Sequence, residues 1–396
     1  MFKSLDEIDC RGFRVLVRGD LNVPVRDGAV TDTTRLERMV STLTELSKKG
    51  AKVVVLSHFG RPKGRTVPEM SLRPIADALS SVLGGRPVAF AGDCIGEPAA
   101  TAVANLSEGS ILLLENLRFH AGEEANDPGF VDALASNGDL FVNDGFSVSH
   151  RAHASTTGIA SRLPAFAGRG MQAELEALAL VLETPRKPVA ALVGGAKVSS
   201  KLTVLGHLLE RVDSLIIGGG MANTFLFALG TDIGASLCER DLADSAREIM
   251  ARADEAGCRI VLPQDIVIAA AFEEGAVAET VPIAAVPPDQ MILDIGASSV
   301  ATLNAHLAEC GTLLWNGPLG AFEIAPFDLG TSTVAQRAAE LTAAGNLVSV
   351  AGGGDTVAAL SHAGAIDHFS YVSTAGGAFL EWLEGKELPG VAALRY

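Results

Sequence analysis

Polar side chains recur at one kind of place in this chain, directly after short apolar runs. Arg18, Asp20 and Asn22 follow RVLV, His58 and Arg61 follow KVVVL, Arg118 follows ILLL, and His150, Arg151 and His153 follow LFVN, while Arg35 opens the first long amphipathic stretch. A guanidinium is a planar fork that stays charged and grips phosphate or carboxylate with two parallel hydrogen bonds. Four of them after successive apolar runs, with Arg35 as a fifth, fit a small ligand that carries both groups. One such arginine is ordinarily a solvated surface charge, and a lone histidine is ordinarily a hydrogen-bonded core or surface residue. The repetition makes the pattern, and His58 gains weight from Arg61 three residues on.

The second half of the chain puts glycine where the first half puts arginine. Its apolar runs lead into GGAKVSSK (Gly195, Lys197, Lys201), GGGMANTF (Gly220), NGPLGAFE (Asn316, Glu323), AGGGDTVAAL (Gly353, Gly354, Asp355, Thr356) and STAGGAFLEWL (Gly377). Glycines between a strand and a helix start let backbone N–H groups approach phosphate oxygens at the positive end of the helix dipole. Neither G-x-x-x-x-G-K-[ST] nor a strand-borne G-x-G-x-x-G is present, so the usual mononucleotide and dinucleotide fingerprints do not apply. Asp355 is placed to hold Mg²⁺ beside nucleotide phosphates. Thr356 is a candidate phosphate donor, and Glu323 a candidate acceptor for ribose hydroxyls.

These residues need a scaffold, and the apolar runs supply it. RVLV at 14, KVVVL at 52, ILLL at 111, LFVN at 140, VAALV at 189, LIIG at 215, MILD at 291, TLLW at 312 and LVSV at 347 are continuous rather than alternating. Such runs predict strands buried on both faces of a largely parallel sheet. Helical periodicity lies between them, for example over 35–49 and 171–183. Ligands of open α/β sheets gather at the carboxyl ends of the strands, where the polar residues fall. At 396 residues the chain is long enough for two cores, and a boundary is expected where FAGRG and TPRKP flank MQAELEALALVLE. The expected fold is α/β, with two doubly wound, Rossmann-like parallel-sheet domains joined by a hinge helix and a cleft between them. Residues 1–170 form the first domain, 171–185 the connector and 186–384 the second domain, with the tail 385–396 packing back on the first. A domain for a small dianion and one for a magnesium nucleotide point to phosphoryl transfer across a cleft that closes.

Charge and cysteine content bound the partners. The formal net charge is −16, which argues against nucleic acid and anionic membrane. Residues 1–73 hold 14 basic and 9 acidic side chains, whereas 186–396 hold 12 and 24, so the basic excess lies where the arginine-bearing segments begin. Five scattered cysteines without a CxxC pair predict neither a disulfide framework nor a zinc site. No signal-peptide core or membrane-length apolar run is evident, and the expected address is the cytoplasm.

RGDLNVP, SHFGRP, LLENLRF, HRAH, GGAKVSSK, WNGPLGAFE and GGGDT occur in that order over essentially the whole chain, and together they resemble the phosphoglycerate kinase family. The resemblance implies reversible phosphoryl transfer between 1,3-bisphosphoglycerate and ADP, giving 3-phosphoglycerate and ATP with Mg²⁺, by a cytoplasmic monomer. It further implies that Asp20, Asn22, Arg35, His58, Arg61, Arg118 and Arg151 bind the glycerate. Gly195, Lys201, Gly220, Asn316, Glu323, Gly353, Gly354, Asp355 and Thr356 are implied to bind nucleotide, with Asp355 on the metal. Arg35, Lys197 and the amides of Gly354 and Gly377 would stabilise the phosphoryl group in flight. The chain departs from the family pattern at GFSVS before His150, Ser200, Ala297 and Ala375. Two other readings are another α/β acyl-phosphate phosphotransferase, against which NGPLGAFE and HRAH speak, and a non-catalytic relative. The latter is expected to have lost Arg35, Lys197, Lys201 or Asp355, and all four are present.

Overall fold

The structure, a computed structural model, describes residues 2–395. They divide into two units, one running to Leu175 and including the tail from Glu387, the other spanning Glu176–Lys386. The division falls inside the helix Arg169–Leu182.

The first unit contains β1 (Arg14–Arg18), β2 (Val25–Arg26), β3 (Ala29–Val30), β4 (Lys52–Leu56), β5 (Val88–Ala91), β6 (Ile111–Leu114), β7 (Leu140–Asn143) and β8 (Ala165–Ala167). The short β2 and β3 pair as a hairpin, and the other six form one parallel sheet in the order β5-β6-β4-β1-β7-β8. Alternate side chains of a strand point to opposite faces, and here both faces are covered. Val15, Val17, Val53 and Val55 pack with Leu36, Met39, Leu43 and Leu46 of the helix Thr34–Lys48, while Leu16, Val54, Leu56 and Leu114 pack on the other side with Leu134 and Phe141. Two-sided burial is why the runs are continuous, and each fully buried Val or Leu contributes on the order of 2 kcal/mol. β1 lies centrally between β4 and β7, so the loops leaving these three strands emerge side by side. The tail is tied to the same end of the sheet, with Gly390 N–H donating to Ser149 O at 2.8 Å and Asn143 Nδ2 to Gly390 O at 3.2 Å.

The second unit contains β9 (Val189–Val193), β10 (Ser214–Ile217), β11 (Arg259–Val261), β12 (Asp265–Ala269), β13 (Glu279–Pro282), β14 (Met291–Ile295), β15 (Thr312–Asn316), β16 (Val348–Gly352) and β17 (Tyr371–Ser373). Six of them build a second parallel sheet, β11-β10-β9-β15-β16-β17. The MILD segment corrects the sequence reading. Rather than joining the parallel sheet, β14 pairs antiparallel with β12, which pairs antiparallel with β13. Met291, Ile292 and Leu293 stay half-buried, as suits a sheet with one open face. An apolar run of four residues does not by itself distinguish the two environments. No helix among the described residues is long and apolar enough to cross a membrane.

The start of the helix Arg169–Leu182 rests on a buried acid. Asp144, just after β7, accepts from Met171 N–H at 3.0 Å, and a Cβ on Gly168 would sit 2.3 Å from its Oδ1. Burial raises its pKa to about 6. The folded chain therefore holds this proton more tightly than the unfolded chain, and stability falls as pH rises from about 4 to about 6. Asp144→Asn cannot ionise, so its stability relative to the parent should improve by roughly 2 kcal/mol between pH 4 and pH 7, as read by urea denaturation. A difference that does not change with pH would refute this account.

Candidate active site

The carboxyl ends of β1, β4, β6 and β7 bring the first group of side chains together. Arg18, the last residue of β1, is 1% exposed. Its Nε donates to Ser155 Oγ at 2.8 Å, its Nη2 to His58 Nδ1 at 3.1 Å, and its Nη1 to Gly19 O. The sequence reading counted Arg18 among the cations offered to a ligand. Its donors are instead used inside the protein, because a fully buried guanidinium must find its partners there. Behind it, the fully buried Glu123 accepts from the Ser155 N–H at 3.0 Å and hydroxyl at 2.6 Å. Burial raises the Glu123 pKa while Arg18 pulls it down.

His58 inherits its state from this arrangement. With Nδ1 accepting from Arg18, the ring proton belongs on Nε2. Burial first, then Arg18, Arg118, Arg35 and Arg151, hold its pKa well below the ordinary histidine value. The ring is therefore neutral and offers one N–H. His153 is lowered to about 4, again by burial first and then by arginines. Arg118 is 5% exposed and donates from Nη1 to Gly60 O at 2.8 Å; burial lowers its pKa, with Arg151 and Arg61 adding to the effect. Arg35, Arg118 and Arg151 thus converge on His58, and Arg61 is exposed but close enough to act on Arg118.

Arg35 is held by a smaller network. Its Nη1 donates to Asp20 Oδ2 at 3.0 Å and to Asn22 O at 2.9 Å, and Asn22 Oδ1 accepts from Gly60 N–H at 2.9 Å. Asp20 and Asn22 are committed to orienting Arg35 and the turn after β4. Ser147 donates to Asp20 Oδ2 at 2.6 Å, a role the sequence reading missed although GFSVS stood out as a departure. The contact joins residues 127 apart in the chain, so no spacing rule could reveal it.

The second unit carries two adjoining cavities. One, about 320 Å³, is lined by Lys197, Lys201, Asn316, Gly353, Gly354 and Thr356, among others, with Leu380 contributed by the helix Gly377–Leu383. Gly353 has φ +103°, and a Cβ there would lie 2.9 Å from Asn316 Nδ2, so glycine is required at the start of the helix Gly354–His362. No side chain caps that start, which leaves its amides to an incoming anion. Thr356 Oγ1 accepts from Gly317 N–H at 2.7 Å and keeps its own proton to donate. Asn316 Nδ2 donates to Gly352 O at 2.6 Å, and its Oδ1 accepts from Lys201 Nζ, so Asn316 braces the lysine and the glycine turn. Gly377 itself does not line the cavity.

The other cavity, about 340 Å³, is mainly apolar. Leu237, Phe272, Met291, Leu293, Pro318 and Leu319 line it with Gly220 and Glu323, and it shares Gly195, Ala196 and Asp355 with the first. Its apolar residues lie scattered over 80 positions and meet only through β14 and the loop after β15, so the sequence reading located Glu323 and the glycines but not the wall. Asp355 is exposed beside the lysine-lined cavity and acts electrostatically on Lys201. A hard, open carboxylate next to anion-binding amides fits Mg²⁺.

The remaining departures are accommodated locally. Ser200 Oγ donates to Lys197 O at 2.8 Å, and Ala297 is the first residue of the helix Ala297–Glu309. At STAGG the positive φ of +50° falls on Gly376 rather than on Ala375, so the Ala375 Cβ does not obstruct the turn.

A family model described as phosphoglycerate kinase matches residues 5–386. The phosphoglycerate kinases of Rhizobium meliloti (strain 1021) and Methylorubrum extorquens (strain PA1) are 62% and 61% identical to this chain over 395 residues, covering 100% of it and 99% and 98% of those proteins. Among solved structures, phosphoglycerate kinase from Coxiella burnetii superposes with a TM-score of 0.92 at 41% identity, covering 100% of this chain and 99% of that one. Phosphoglycerate kinase from Pyrococcus horikoshii OT3 gives 0.82 at 29% identity, covering 100% and 98%.

Lys201 provides a direct test of the second cavity. Burial lowers its pKa to about 8, only partly opposed by Asp355. A polyphosphate seated beside it favours the charged form and raises that value. Binding of ADP at pH 8 should therefore take up about half a proton, and at pH 6 almost none. Calorimetry in buffers of different ionisation enthalpy reads this directly, and Lys201→Met should abolish the uptake. Equal proton uptake at the two pH values would contradict the assignment.

Proposed function

The chain belongs to the phosphoglycerate kinase family, and from that footing we propose that it is a phosphotransferase with a carboxyl group as acceptor, interconverting 1,3-bisphosphoglycerate and ADP with 3-phosphoglycerate and ATP in glycolysis and its reverse. We assign the glycerate to the first unit, through Arg35, His58, Arg61, Arg118 and Arg151, with Asp20 and Asn22 orienting them. The nucleotide is assigned to the second unit, with its base in the apolar cavity, Glu323 at the ribose, and Gly195, Gly220, Lys201, Gly353, Gly354 and Thr356 along the phosphates. The observation that carries the reading is the second unit's pair of cavities, one mainly apolar, the other lined by lysines and helix-start amides, meeting at Gly195, Ala196 and Asp355.

The chemistry asks little of proton transfer. In the ATP-forming direction a phosphate oxygen of ADP attacks the acyl phosphorus, a new P–O bond forms, and the bond to the carboxylate oxygen breaks. Nucleophile and leaving group are both ionised near neutral pH, so no general base is needed. A neutral His58 suits this, since it donates one N–H to the ligand and exchanges no proton. What remains is positioning and neutralisation of charge. Arg35, Lys197 and the amides of Gly354 and Gly377 are assigned to the phosphoryl group in transit, and Arg35 is preset by its bond to Asp20. Mg²⁺ on Asp355 would neutralise nucleotide phosphate charge. We place the protein in the cytoplasm as a monomer.

Purified protein should consume ATP when given 3-phosphoglycerate and Mg²⁺ in a coupled NADH assay, and the absence of turnover above background would sink the reading. Arg35→Ala should lower kcat by about 100- to 1,000-fold, the loss typical of a preorganised transition-state donor. Its thermal unfolding temperature should fall by only a few degrees, because what is lost is a partly exposed bond to Asp20 and Asn22 O rather than core packing. Parent-like turnover in that variant would remove Arg35 from the role.

A further inference from the structure

Three side chains with no part in the phosphoryl chemistry meet at the carboxyl ends of the neighbouring strands β5 and β6. Asp93 and Cys94 lie in the loop that follows β5, and His120 follows the short helical turn Leu117–Phe119 after β6. A carboxylate oxygen, the Cys94 sulfur and a His120 ring nitrogen all lie within 4.8 Å of one another. Oxygen, nitrogen and sulfur donors converging from two loops make a mixed set, unlike the acidic clusters common on protein surfaces, and it is the set that zinc and cobalt(II) take up.

The surroundings hold the donors in place. Asp93 Oδ1 lies 2.7 Å from His120 Nε2, and the Cys94 N–H donates to the same oxygen at 2.6 Å, a backbone bond that fixes the Asp93 carboxylate beside the other two donors. The His120 ring packs against Phe130 with centroids 5.3 Å apart. Cys94 is fully buried, whereas the Asp93 and His120 side chains are about one-third exposed, at 37% and 31%. An ion therefore has a route from solvent on one side and a dry sulfur on the other. Sequence spacing could not have pointed here, because Cys94 has no cysteine partner nearby and its companion ligand comes from the next strand, 26 residues on.

We propose that Asp93, Cys94 and His120 form a binding site for one thiophilic divalent cation, zinc or cobalt(II), separate from the Mg²⁺–nucleotide site. Binding exchanges the thiol proton for the metal: an S–metal bond forms and H⁺ leaves to solvent, with no change of oxidation state. Tetrahedral zinc holds such donors roughly 3.2 to 3.6 Å apart, so the Cys94 sulfur closes on the other two donors by about an ångström, while the His120–Asp93 pair, 2.7 Å apart, opens slightly as its hydrogen bond gives way to metal bonds. Water completes the shell. His120 stands two residues from Arg118, so an occupied site would stiffen the turn that carries that arginine.

The test is titration of the intact, metal-stripped protein with cobalt(II). The expected result is one equivalent bound, with thiolate-to-cobalt charge-transfer absorption in the near ultraviolet. Cys94→Ser should lose that absorption, and His120→Ala should weaken binding at least about tenfold, while both variants keep their turnover as a sign of intact folding. If Cys94→Ser fails to fold, His120→Ala decides the matter alone, since its ring is partly exposed. Absence of the band in the parent, or a band of unchanged strength and midpoint in His120→Ala or in folded Cys94→Ser, overturns the proposal. Because neither residue has a role in turnover, an inactive parent protein would count against the kinase reading and leave this outcome to be read independently.

Discussion

A guanidinium taken wholly out of water must be solvated by the protein, and the first unit is organised around meeting that demand at Arg18. The residue ends the central strand β1, so its side chain is delivered into the sheet's carboxyl edge with no path to solvent. Gly19 O, Ser155 Oγ and His58 Nδ1 supply the acceptors, and Glu123, itself held by Ser155, supplies the countercharge. Each of these commitments fixes something else. His58 is locked as the neutral tautomer with Nε2–H free, Ser155 is anchored beside His153, and the chain after β1 is directed so that Asp20 meets Arg35. Burial lowers the Arg18 pKa, with Glu123 and Asp20 acting against it, so the charge survives in a place where an isolated one would not.

The second unit meets the same problem, an anion beside a low-dielectric interior, with different material. Its helix starts at Gly354 and Gly219 are uncapped by side chains, so their positive ends are held in reserve for whatever binds. Backbone amides are rigid where arginine side chains are entropically costly to hold, and they need no titratable group. Glycine is what makes that possible. At Gly353 a side chain would run into Asn316, and at Gly219, with φ +65°, a Cβ would lie 2.7 Å from Gly195 O. The close approach that excludes a Cβ is the same close approach that brings amides to phosphate.

How much of this could be read from the sequence follows from the range of the interactions. Continuous Val and Leu runs report two-sided burial locally, so the central strands of both parallel sheets were legible, as were polar residues placed directly after them, whereas the short edge strands β5, β8 and β11 carry no such run and went unread. Met291–Ile295 is instructive: its apolar run resembles that of a buried parallel strand, and pairing with β12 makes it an antiparallel wall of the apolar cavity. Arg18 was legible as a strand-end arginine but not as a buried one, since its acceptors come from residues 19, 58 and 155. Ser147 and the Asp93–Cys94–His120 group escaped for the same reason. In each case the chemistry arises from contacts between segments that share no spacing.

Net charge is the clearest case of a quantity that is real and still on the wrong scale. The chain carries −16, and its second half holds twice as many acidic as basic side chains, yet that half contains the cavity lined by Lys197, Lys201 and uncapped helix-start amides. The acidic surplus does not keep the cavity's lysine at its ordinary pKa. Lys201 is pulled down to about 8 because burial outweighs the nearby Asp355. If summed charge governed the site, an excess of carboxylates would push that value up. Local desolvation wins because screened charges on a wet surface act weakly beyond about 8 to 10 Å, whereas the loss of hydration acts on the group itself. On the proposed reading, a phosphate in the cavity would offset what burial removed: the lysine would hold its proton more tightly and the uncapped amides would gain an acceptor.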